Sequence, residues 1–254
     1  VGSYLASLIA KLEKLNFKGK LMIMQSNGGV VTPEIATKIA AVTVLSGPAA
    51  APIAGAYYAD LLGYDNCITM DMGGTSFDTS LVVNKQCVTS TEADIDRYHI
   101  GLPTLDIITI GAGGGSIGWV DNGGLLQMGP KSAGSLPGPI SYDRGGDKPT
   151  CTDADLILGY LDPNFFAGGK YVLNKEKTID ETEKILGKQL DVNAQKAAAG
   201  MYRVINMNMA QGVRQVSVER GYDPREFLMI CAGGAGSIHA GEICRELEIP
   251  MFVV

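Results

Sequence analysis

The strongest pattern of hydrophobic and polar positions is an apolar run at residues 68–83 that a short polar turn interrupts. Apolar residues dominate 68–72 and 81–83, and two adjacent glycines, Gly73 and Gly74, lie between them. Apolar runs of this length are typical of buried strands, and adjacent glycines are typical of turns. The pattern therefore predicts a strand, a glycine-rich turn and a second strand.

Apolar residues at helical spacing predict helices in much of the remaining chain. The predicted ranges are 3–15 with Ser3 as N-cap, 32–40, 48–62, 152–161 with its cap at Thr152 and Asp153, 178–188, 193–220 and 237–247. The 48–62 helix is rich in Ala and Gly, which fits either a helix crossing at a domain junction or an Ala-rich core helix. Asn208 lies on the apolar stripe of 193–220, which indicates either an internal hydrogen bond or a ligand contact.

Short apolar runs bounded by turn residues predict further strands. They cover 21–24, 43–45, 87–91, 105–110, 117–120, 125–128, 227–231 and the end of the chain. The Asn122-Gly123 pair between two of these runs is a strong hairpin signal. Residues 129–150 lack periodicity, and a loop of this length in a compact protein is typically functional.

Glycine is the compositional outlier, with 33 of 254 residues, and it is clustered. Five clusters, at 73–74, 111–118, 123–124, 145–146 and 233–236, each lie at the end of an apolar run. Loops that follow strands commonly carry ligand-binding residues. The distribution therefore predicts several loops that converge on one ligand.

The 71–78 stretch combines the residue types that bind phosphate and magnesium. Gly73 and Gly74 let backbone amides approach a phosphate, and Thr75 and Ser76 add hydroxyl donors. Asp71 and Asp78 flank the turn as possible magnesium ligands and catalytic carboxylates. A plain β-hairpin explains the two glycines alone, whereas the added carboxylates and hydroxyls favour a nucleotide site.

The strand at 227–231 enters a second kind of turn, which contains Gly233, Gly234 and Gly236 and precedes a helix. A helix N-terminus after a glycine-rich turn is suited to an anion or a ribose. His239, one turn into that helix, is interpreted as a structural histidine rather than a base. Asp106 and Asp153 are further candidates, each equally explained as a cap or a strand-end carboxylate.

Composition and charge narrow the class of protein. The formal charge of −6 and the lack of a basic run argue against nucleic-acid binding. Five cysteines without a C-x-x-C pair indicate free thiols in a reducing compartment, and with only two histidines a metal cluster of Cys and His is not expected.

No apolar run reaches the length of a membrane span, so a cytoplasmic protein is predicted. The chain starts at Val1 and stops in an apparent strand, which predicts a piece of a longer polypeptide.

A series of short blocks, spread in order over nearly the whole chain, resembles the hydantoinase A / 5-oxoprolinase family. The blocks are Leu45-Ser46-Gly47-Pro48-Ala49, Asp71-Met72-Gly73-Gly74-Thr75-Ser76-Phe77-Asp78, Ile110-Gly111-Ala112-Gly113-Gly114-Gly115-Ser116-Ile117, Ser132-Ala133-Gly134-Ser135-Leu136-Pro137-Gly138-Pro139, Thr152-Asp153-Ala154-Asp155, Glu219-Arg220-Gly221-Tyr222-Asp223-Pro224 and Ala232-Gly233-Gly234-Ala235-Gly236. Each block is a weak signal, but their combination is specific.

The resemblance implies an α/β, actin-like ATPase fold with a mixed sheet flanked by helices and ATP held between two lobes. It makes 71–78 the second phosphate loop, so the chain is expected to be a partial copy that lacks the first. Residues 1–254 form a hydantoinase A-type domain, with 1–63 as a junction segment and 64–254 as the second lobe. ATP and Mg²⁺ are the implied cofactors. The implied ligand-binding residues are Gly73, Gly74, Thr75, Ser76, Gly113, Gly114, Gly115, Ser116, Gly233, Gly234 and Gly236.

The resemblance also implies a reaction, ATP-dependent hydrolysis of cyclic amides such as hydantoin or 5-oxoproline. Transfer of a phosphoryl group to the amide oxygen makes the later opening of the ring favourable. The implied partner of this chain is a subunit or domain of the hydantoinase B type, within an oligomer. Two alternatives stay open: a subunit of an ATP-dependent ketone carboxylase, and a nucleotide-binding scaffold without chemistry of its own. In each case this chain alone is expected to be an inactive fragment.

Overall fold

The computed structural model describes residues 1–91, 93–95 and 98–254, and for 93–95 and 98–100 it describes the backbone. The α-helices are Gly2–Lys14 (α1), Pro33–Lys38 (α2), Ala50–Leu61 (α3), Cys151–Leu158 (α4), Lys175–Thr182 (α5), Lys188–Leu190 (α6), Ala194–Val216 (α7) and Gly236–Glu246 (α8). A π-helical turn, Glu183–Gly187, connects α5 to α6. None of the described helices combines the length and the apolar character that crossing a membrane requires.

The strands are mostly short. They are Ile23–Met24 (β1), Val30–Val31 (β2), Cys67–Met72 (β3), Phe77–Val83 (β4), Gln86–Cys87 (β5), Thr89–Ser90 (β6), Ala93–Ile95 (β7), Tyr98–Ile100 (β8), Thr104–Leu105 (β9), Ile107–Ile110 (β10), Ser116–Val120 (β11), Leu126–Ser132 (β12), Leu228–Ala232 (β13) and Phe252–Val253 (β14). The predicted strand, glycine-rich turn and strand are confirmed as β3 and β4.

The largest sheet in the described part of the chain has six strands, in the order β10-β4-β3-β13-β14, with β5 paired to β4. β13 and β14 are parallel, whereas β4 and β5 are antiparallel, so the sheet is mixed. The side chains of β3 are almost completely buried, as a strand inside a two-sided layer requires. The predicted mixed α/β architecture is confirmed.

The contacts of the chain group it into two units. One comprises Val1–Cys67 and Ser80–Ile107, and the other comprises Ile68–Thr79 and Ile108–Val254. The predicted division into a junction segment at 1–63 and a lobe at 64–254 stays a prediction.

The first unit is held together by turns and short pairings rather than by a large core. The Ser26 amide donates to the Val42 carbonyl at 2.8 Å, and the Leu105 amide donates to the Ser26 carbonyl at 2.8 Å. Lys85 forms ion pairs with Asp60 and Asp65 at its surface. Exposed pairs of this kind contribute about 0–1 kcal/mol each, so they position the chain more than they stabilise it.

The second unit is built around the long helix α7. Met201, Ile205, Met209 and Val213 are completely buried, which confirms the predicted apolar stripe. The helix packs against α4, α8 and β12, so it is covered on more than one side. Burying each such side chain contributes about 1.5–3 kcal/mol.

Helix α7 buries Asn206, whereas the sequence predicts a buried or ligand-binding Asn208. Asn208 is exposed, and its amide makes a long hydrogen bond of 3.4 Å to the Met128 carbonyl. Asn206, which is 3% exposed, lies inside the unit instead. The buried sector of α7 is wider than its apolar stripe because α8 covers the neighbouring face.

Several predicted boundaries and caps are wrong. The helix α1 begins at Gly2 and Ser3 does not cap it, and the strand predicted at 43–45 is replaced by a 3₁₀ turn, Ala40–Thr43. The cap of α4 is Thr150 rather than Thr152, since a capping box joins Thr150 to Asp153. The predicted hairpin is confirmed as β11 and β12, but β12 extends into the predicted long loop.

Candidate functional site

Three strands of the central sheet end in glycine-rich turns: residues 73–76 after β3 (the first turn), 113–116 after β10 (the second turn) and 233–236 after β13 (the third turn). The second turn is bonded to the first, because the Gly114 amide donates to the Gly73 carbonyl at 3.0 Å and the Gly115 amide to the Gly74 carbonyl at 2.7 Å. Two backbone segments therefore lie side by side without side chains between them.

Glycine is required at this contact for steric reasons. A Cβ atom on Gly113 would lie 2.6 Å from the Thr75 amide nitrogen, and one on Gly115 would lie 2.7 Å from Ser132 Oγ. Neither approach is compatible with van der Waals radii. The second turn can support the first only because these positions carry no side chain.

The third turn packs against the end of β3. The Ala235 amide donates to the Met72 carbonyl at 3.1 Å, and a Cβ on Gly233 would clash with that carbonyl and with the Asp71 carboxylate. Gly233 also has a φ of +84°, which favours glycine. A Cβ on Gly236 would lie 2.8 Å from Cys231 Sγ. The three predicted turns thus meet around the end of one strand.

The turns differ in their exposure. Gly74, Thr75 and Gly234 are exposed, and a Cβ on Gly74 or Gly234 would meet nothing within 4 Å. In contrast, all four residues of the second turn are buried. The first and third turns therefore present open backbone, and the second turn lies beneath the first.

The amides of the second turn are already used inside the protein. Gly113 donates to Ser116 Oγ at 2.8 Å, Gly114 and Gly115 donate to the first turn, and Ser116 donates to the Gly113 carbonyl. In the first turn, Gly73 donates to the Ser76 carbonyl, but over the described residues the amides of 74–76 donate to no backbone carbonyl. Compared with the second turn, the first turn therefore has backbone amides that can donate hydrogen bonds to an incoming anion.

Two carboxylates flank the first turn. Asp78 accepts hydrogen bonds from the hydroxyls of Ser76 and Thr109, which fix both of its oxygens. Burial, and after it the charge of Asp78, raise the pKa of Asp71 above its ordinary value. The carboxylate oxygens of Asp71 and Asp78 beside one turn form a set of donors suited to a hard divalent cation such as Mg²⁺.

The start of α4 supports the second turn from behind. The amide and the hydroxyl of Thr152 both donate to the Gly114 carbonyl, at 2.8 and 2.9 Å. Asp153 is completely buried and accepts from the Ile140 and Ser141 amides as well as from Thr150. The carboxylate of Asp153 is therefore a structural cap, while the other secondary candidate, Asp106, belongs to the first unit.

A buried group that sequence reasoning missed lies where α4 meets α8. Cys151, Asp155 and His239 bring a sulfur, a carboxylate oxygen and a ring nitrogen within 4.8 Å of one another. Cys151 and Asp155 lie four residues apart on α4, a spacing that puts them on one face of the helix, although the predicted helix begins only at residue 152. Their contact with His239 spans 88 residues, and no local pattern could have shown it. All five cysteines are free thiols, as predicted.

The mixed sheet, with strands that end in packed glycine-rich turns beside two carboxylates, is compatible with the actin-like ATPase class of α/β proteins that the family resemblance implies. Comparison with known proteins gives the family. The profile described as "Hydantoinase/oxoprolinase" matches residues 1–254, so the chain belongs to the hydantoinase/oxoprolinase family. The actin-like fold that this family implies is therefore confirmed for this part of the protein.

Individual relatives include both hydrolases and carboxylases. The chain is 42% identical to the caprolactamase subunit alpha of Pseudomonas jessenii, over 97% of this chain and 36% of that subunit. It is 37% identical to the acetophenone carboxylase gamma subunit of Aromatoleum aromaticum, over 96% of this chain and 33% of that subunit. Relatives of the chain are thus subunits of multi-subunit enzymes.

Solved structures give the same two groups. A nucleotide-free structure of acetone carboxylase, studied for ATP-dependent acetone carboxylation, has a TM-score of 0.90 at 28% identity, over 98% of this chain and 35% of that one. The ATP-dependent caprolactamase of Pseudomonas jessenii has a TM-score of 0.81 at 41% identity, over 97% of this chain and 36% of that one. The chain spans about a third of the length of these relatives.

Proposed function

We propose that the first turn binds a phosphate of ATP, as one half of the phosphate site of an ATP-dependent enzyme. The observation that carries this proposal is the open position of Gly74 and Thr75 between two carboxylates. Their amides donate to no backbone carbonyl in the portion of the chain that is described, and the Thr75 hydroxyl adds another donor. Small residues with available amides are what close approach by a phosphate oxygen requires.

Asp71 and Asp78 are proposed to hold Mg²⁺ beside that phosphate. Their carboxylate oxygens are the donors that Mg²⁺ prefers, and the raised pKa of Asp71 is consistent with a pair that a cation would stabilise. When bound, the ion supplies charge neutralisation for phosphoryl transfer. The contribution of this chain is to fix Asp78 through the hydroxyls of Ser76 and Thr109, so that one ligand is positioned in advance.

The third turn is proposed to bind the nucleoside end of ATP. Gly234 is exposed with open space at its Cβ position, and the N-terminus of α8 follows at Gly236. The second turn is proposed to act in support. Its residues Gly113, Gly114, Gly115 and Ser116 are buried, so they position the first turn at the base of the cleft instead of contacting ATP.

The proposed reaction is hydrolysis of a cyclic amide. Relatives named for caprolactam and 5-oxoproline hydrolysis motivate it. Transfer of a phosphoryl group from ATP to the amide oxygen activates the amide carbon. Water then attacks that carbon, the ring C–N bond breaks, and phosphate leaves. The longer protein is proposed to work with a hydantoinase B-type subunit in a cytoplasmic oligomer.

A ketone carboxylase subunit is the second candidate, and one observation favours it. The TM-score of 0.90 with acetone carboxylase exceeds the 0.81 with caprolactamase, although the sequence identity is lower. Both reactions use phosphoryl activation of a weakly reactive oxygen, so they can share one nucleotide site.

The test is ADP release by the complete protein with its partner subunit, measured with three cyclic amides (caprolactam, 5-oxoproline and hydantoin) and with acetone or acetophenone plus bicarbonate. Amide-dependent ADP release with equimolar ring-opened product supports the hydrolase. Release that requires both ketone and bicarbonate overturns the hydrolase in favour of the carboxylase. ATP turnover that no substrate changes overturns both and favours a scaffold. The isolated 254-residue chain is expected to turn over little ATP.

A further inference from the structure

The buried group formed by Cys151, Asp155 and His239 has the geometry of a ligand set. Their side chains are 1%, 1% and 0% exposed. Cys151 Sγ lies 3.5 Å from His239 Nε2, and His239 Nε2 lies 3.5 Å from Asp155 Oδ2. Cys151 Sγ and Asp155 Oδ2 are 3.7 Å apart, which closes a triangle of three donor atoms.

The orientation of the His239 ring follows from its neighbours. Asn206 Nδ2 donates to the Tyr202 carbonyl at 2.7 Å, so Asn206 Oδ1 is the atom that faces His239 Nδ1, at 3.2 Å. An amide oxygen can only accept, and Nδ1 must therefore carry the hydrogen. Histidines that bind metals generally donate their other ring nitrogen to such an acceptor, leaving Nε2 for the ion.

With this tautomer, the three facing atoms have fewer hydrogens than hydrogen bonds between them would need. Nε2 of neutral His239 and the carboxylate of Asp155 are acceptors, and the Cys151 thiol has a single hydrogen to share between them. In addition, Asp155 Oδ1 is buried and has no hydrogen-bond partner among the described residues. An uncompensated buried carboxylate costs several kcal/mol, and a cation at the centre of the cluster would offset that cost.

The distances distinguish a metal ion from a proton. A charge-assisted hydrogen bond between imidazolium and carboxylate is about 2.7–2.9 Å long, and the Nε2–Oδ2 distance here is 3.5 Å. Zinc bonds of about 2.3 Å to sulfur and about 2.0–2.2 Å to nitrogen and oxygen place tetrahedral ligands about 3.3–3.6 Å apart. The two distances from His239 Nε2, both 3.5 Å, lie within that spacing, and the Cys151 Sγ–Asp155 Oδ2 distance of 3.7 Å lies just above it.

An activated thiol is the other chemistry that such residues suggest. A Cys, a His and an Asn in line resemble a nucleophile, its base and the group that orients the base. However, Cys151 is 1% exposed and no substrate could reach its sulfur. Burial therefore excludes the nucleophile.

We propose that Cys151, Asp155 and His239 bind one Zn²⁺ ion. A sulfur, nitrogen and oxygen donor set suits Zn²⁺ better than Mg²⁺ or Ca²⁺. Binding replaces the thiol hydrogen, which leaves to solvent as a proton. Because Cys151 and Asp155 lie on α4 and His239 lies on α8, the ion joins α4, which contacts the second turn through Thr152, to α8, which begins at the third turn. Its role is structural, and it is independent of the proposed ATP site.

The experiment measures the metal content of the purified protein by mass spectrometry after passage over a chelating resin. It then compares the melting temperature before and after stripping with a strong chelator and adding back Zn²⁺. One zinc per chain and a melting temperature that Zn²⁺ restores are expected. Co²⁺ added to the stripped, unmodified protein is expected to give the near-ultraviolet absorption band of a thiolate ligand and intense visible bands. This measurement needs no variant.

The variants are Cys151→Ser and Asp155→Asn, with Cys244→Ser as the matched control. Cys244 is also buried, at 5% exposure, but lies outside the cluster. Loss of a ligand should lower Zn²⁺ affinity by at least about tenfold, whereas Cys244→Ser should retain the metal. The proposal is overturned if the unmodified protein retains no zinc and its melting temperature does not respond to Zn²⁺, or if a folded Cys151→Ser variant retains zinc as tightly.

Discussion

The first and second turns have similar glycine content and opposite surroundings. The first turn is open, and the amides of 74–76 donate to no backbone carbonyl among the described residues, while the second is buried with its amides spent inside the protein. The comparison teaches that a glycine cluster has two distinct uses, approach by a ligand and approach by another backbone. Variants at the open turn should therefore affect chemistry, and variants at the buried turn should affect stability.

The largest expected effect is on chemistry at the open turn. Asp71→Asn should lower the substrate-dependent ATP turnover of the complete protein by about 10²–10³-fold, because a ligand of the proposed ion is lost. The melting temperature of the variant should not fall, since the pKa of Asp71 is raised and its ionised form gains nothing from folding. Turnover within about twofold of the unmodified protein would contradict the assignment.

The next largest effect is a difference in the free energy of unfolding between variants of the second turn and variants of the first turn. Gly113→Ala places a Cβ 2.6 Å from the Thr75 nitrogen and should lower the free energy of unfolding by about 1–3 kcal/mol. Gly74→Ala is the matched control. Its Cβ would meet nothing within 4 Å, so its unfolding should change by less than about 1 kcal/mol while ATP binding weakens. Equal destabilisation in urea unfolding would abolish the distinction between the turns.

A smaller effect tests the support that α4 gives to the buried turn. Thr152→Val keeps the side-chain shape but removes the hydroxyl that donates to the Gly114 carbonyl at 2.9 Å. A loss of about 0.5–1.5 kcal/mol is expected in the same unfolding measurement. Thr37→Val, at an exposed helical position, serves as the control and should change stability less. The reverse order would show that this hydrogen bond does not support the turn.

The smallest effect is the pH dependence of Mg²⁺ binding. Because the pKa of Asp71 is raised, its carboxyl is protonated at a higher pH than usual, and protons compete with Mg²⁺ as pH falls through that value. Affinity measured by calorimetry should fall by up to about tenfold per pH unit there. Without Mg²⁺, stability should decline as pH rises through the same range. Both dependences should be weaker in Asp71→Asn, and an unchanged profile would remove Asp71 from the site.

Much of this arrangement could be predicted from the sequence because its signals are local. The strand, turn and strand around Gly73, the hairpin at Asn122 and the long helix α7 each depend on spacing within about one element, and they are present. Which glycines face solvent depends on contacts between segments far apart in the chain. The burial of Gly113 by the first turn, at a separation of 38 residues from Thr75, is such a contact.

The errors have the same origin. Asn206 was overlooked because α8 covers a face of α7 that lies beyond the apolar stripe. Thr150 caps α4 because its hydroxyl and the Asp153 carboxylate bond each other's backbone, and the pattern at Thr152 resembles a cap equally well. The Zn²⁺ ligand set needs two helices to meet. Composition alone, with two histidines, argued against such a set.

Residues 150–155, at the N-terminal end of α4, restrict which sequence changes this protein can tolerate in evolution. Within six residues, Thr150 caps the helix, Cys151 and Asp155 face His239, Thr152 holds Gly114, and Asp153 holds Ser141. Each helical residue is rotated by about 100° from the one before, so these side chains leave the helix in fixed and different directions. A substitution disturbs one of these contacts, and a neighbour can compensate for it. An inserted or deleted residue displaces all of them together, so the length of 150–155 is far less free to vary than its composition.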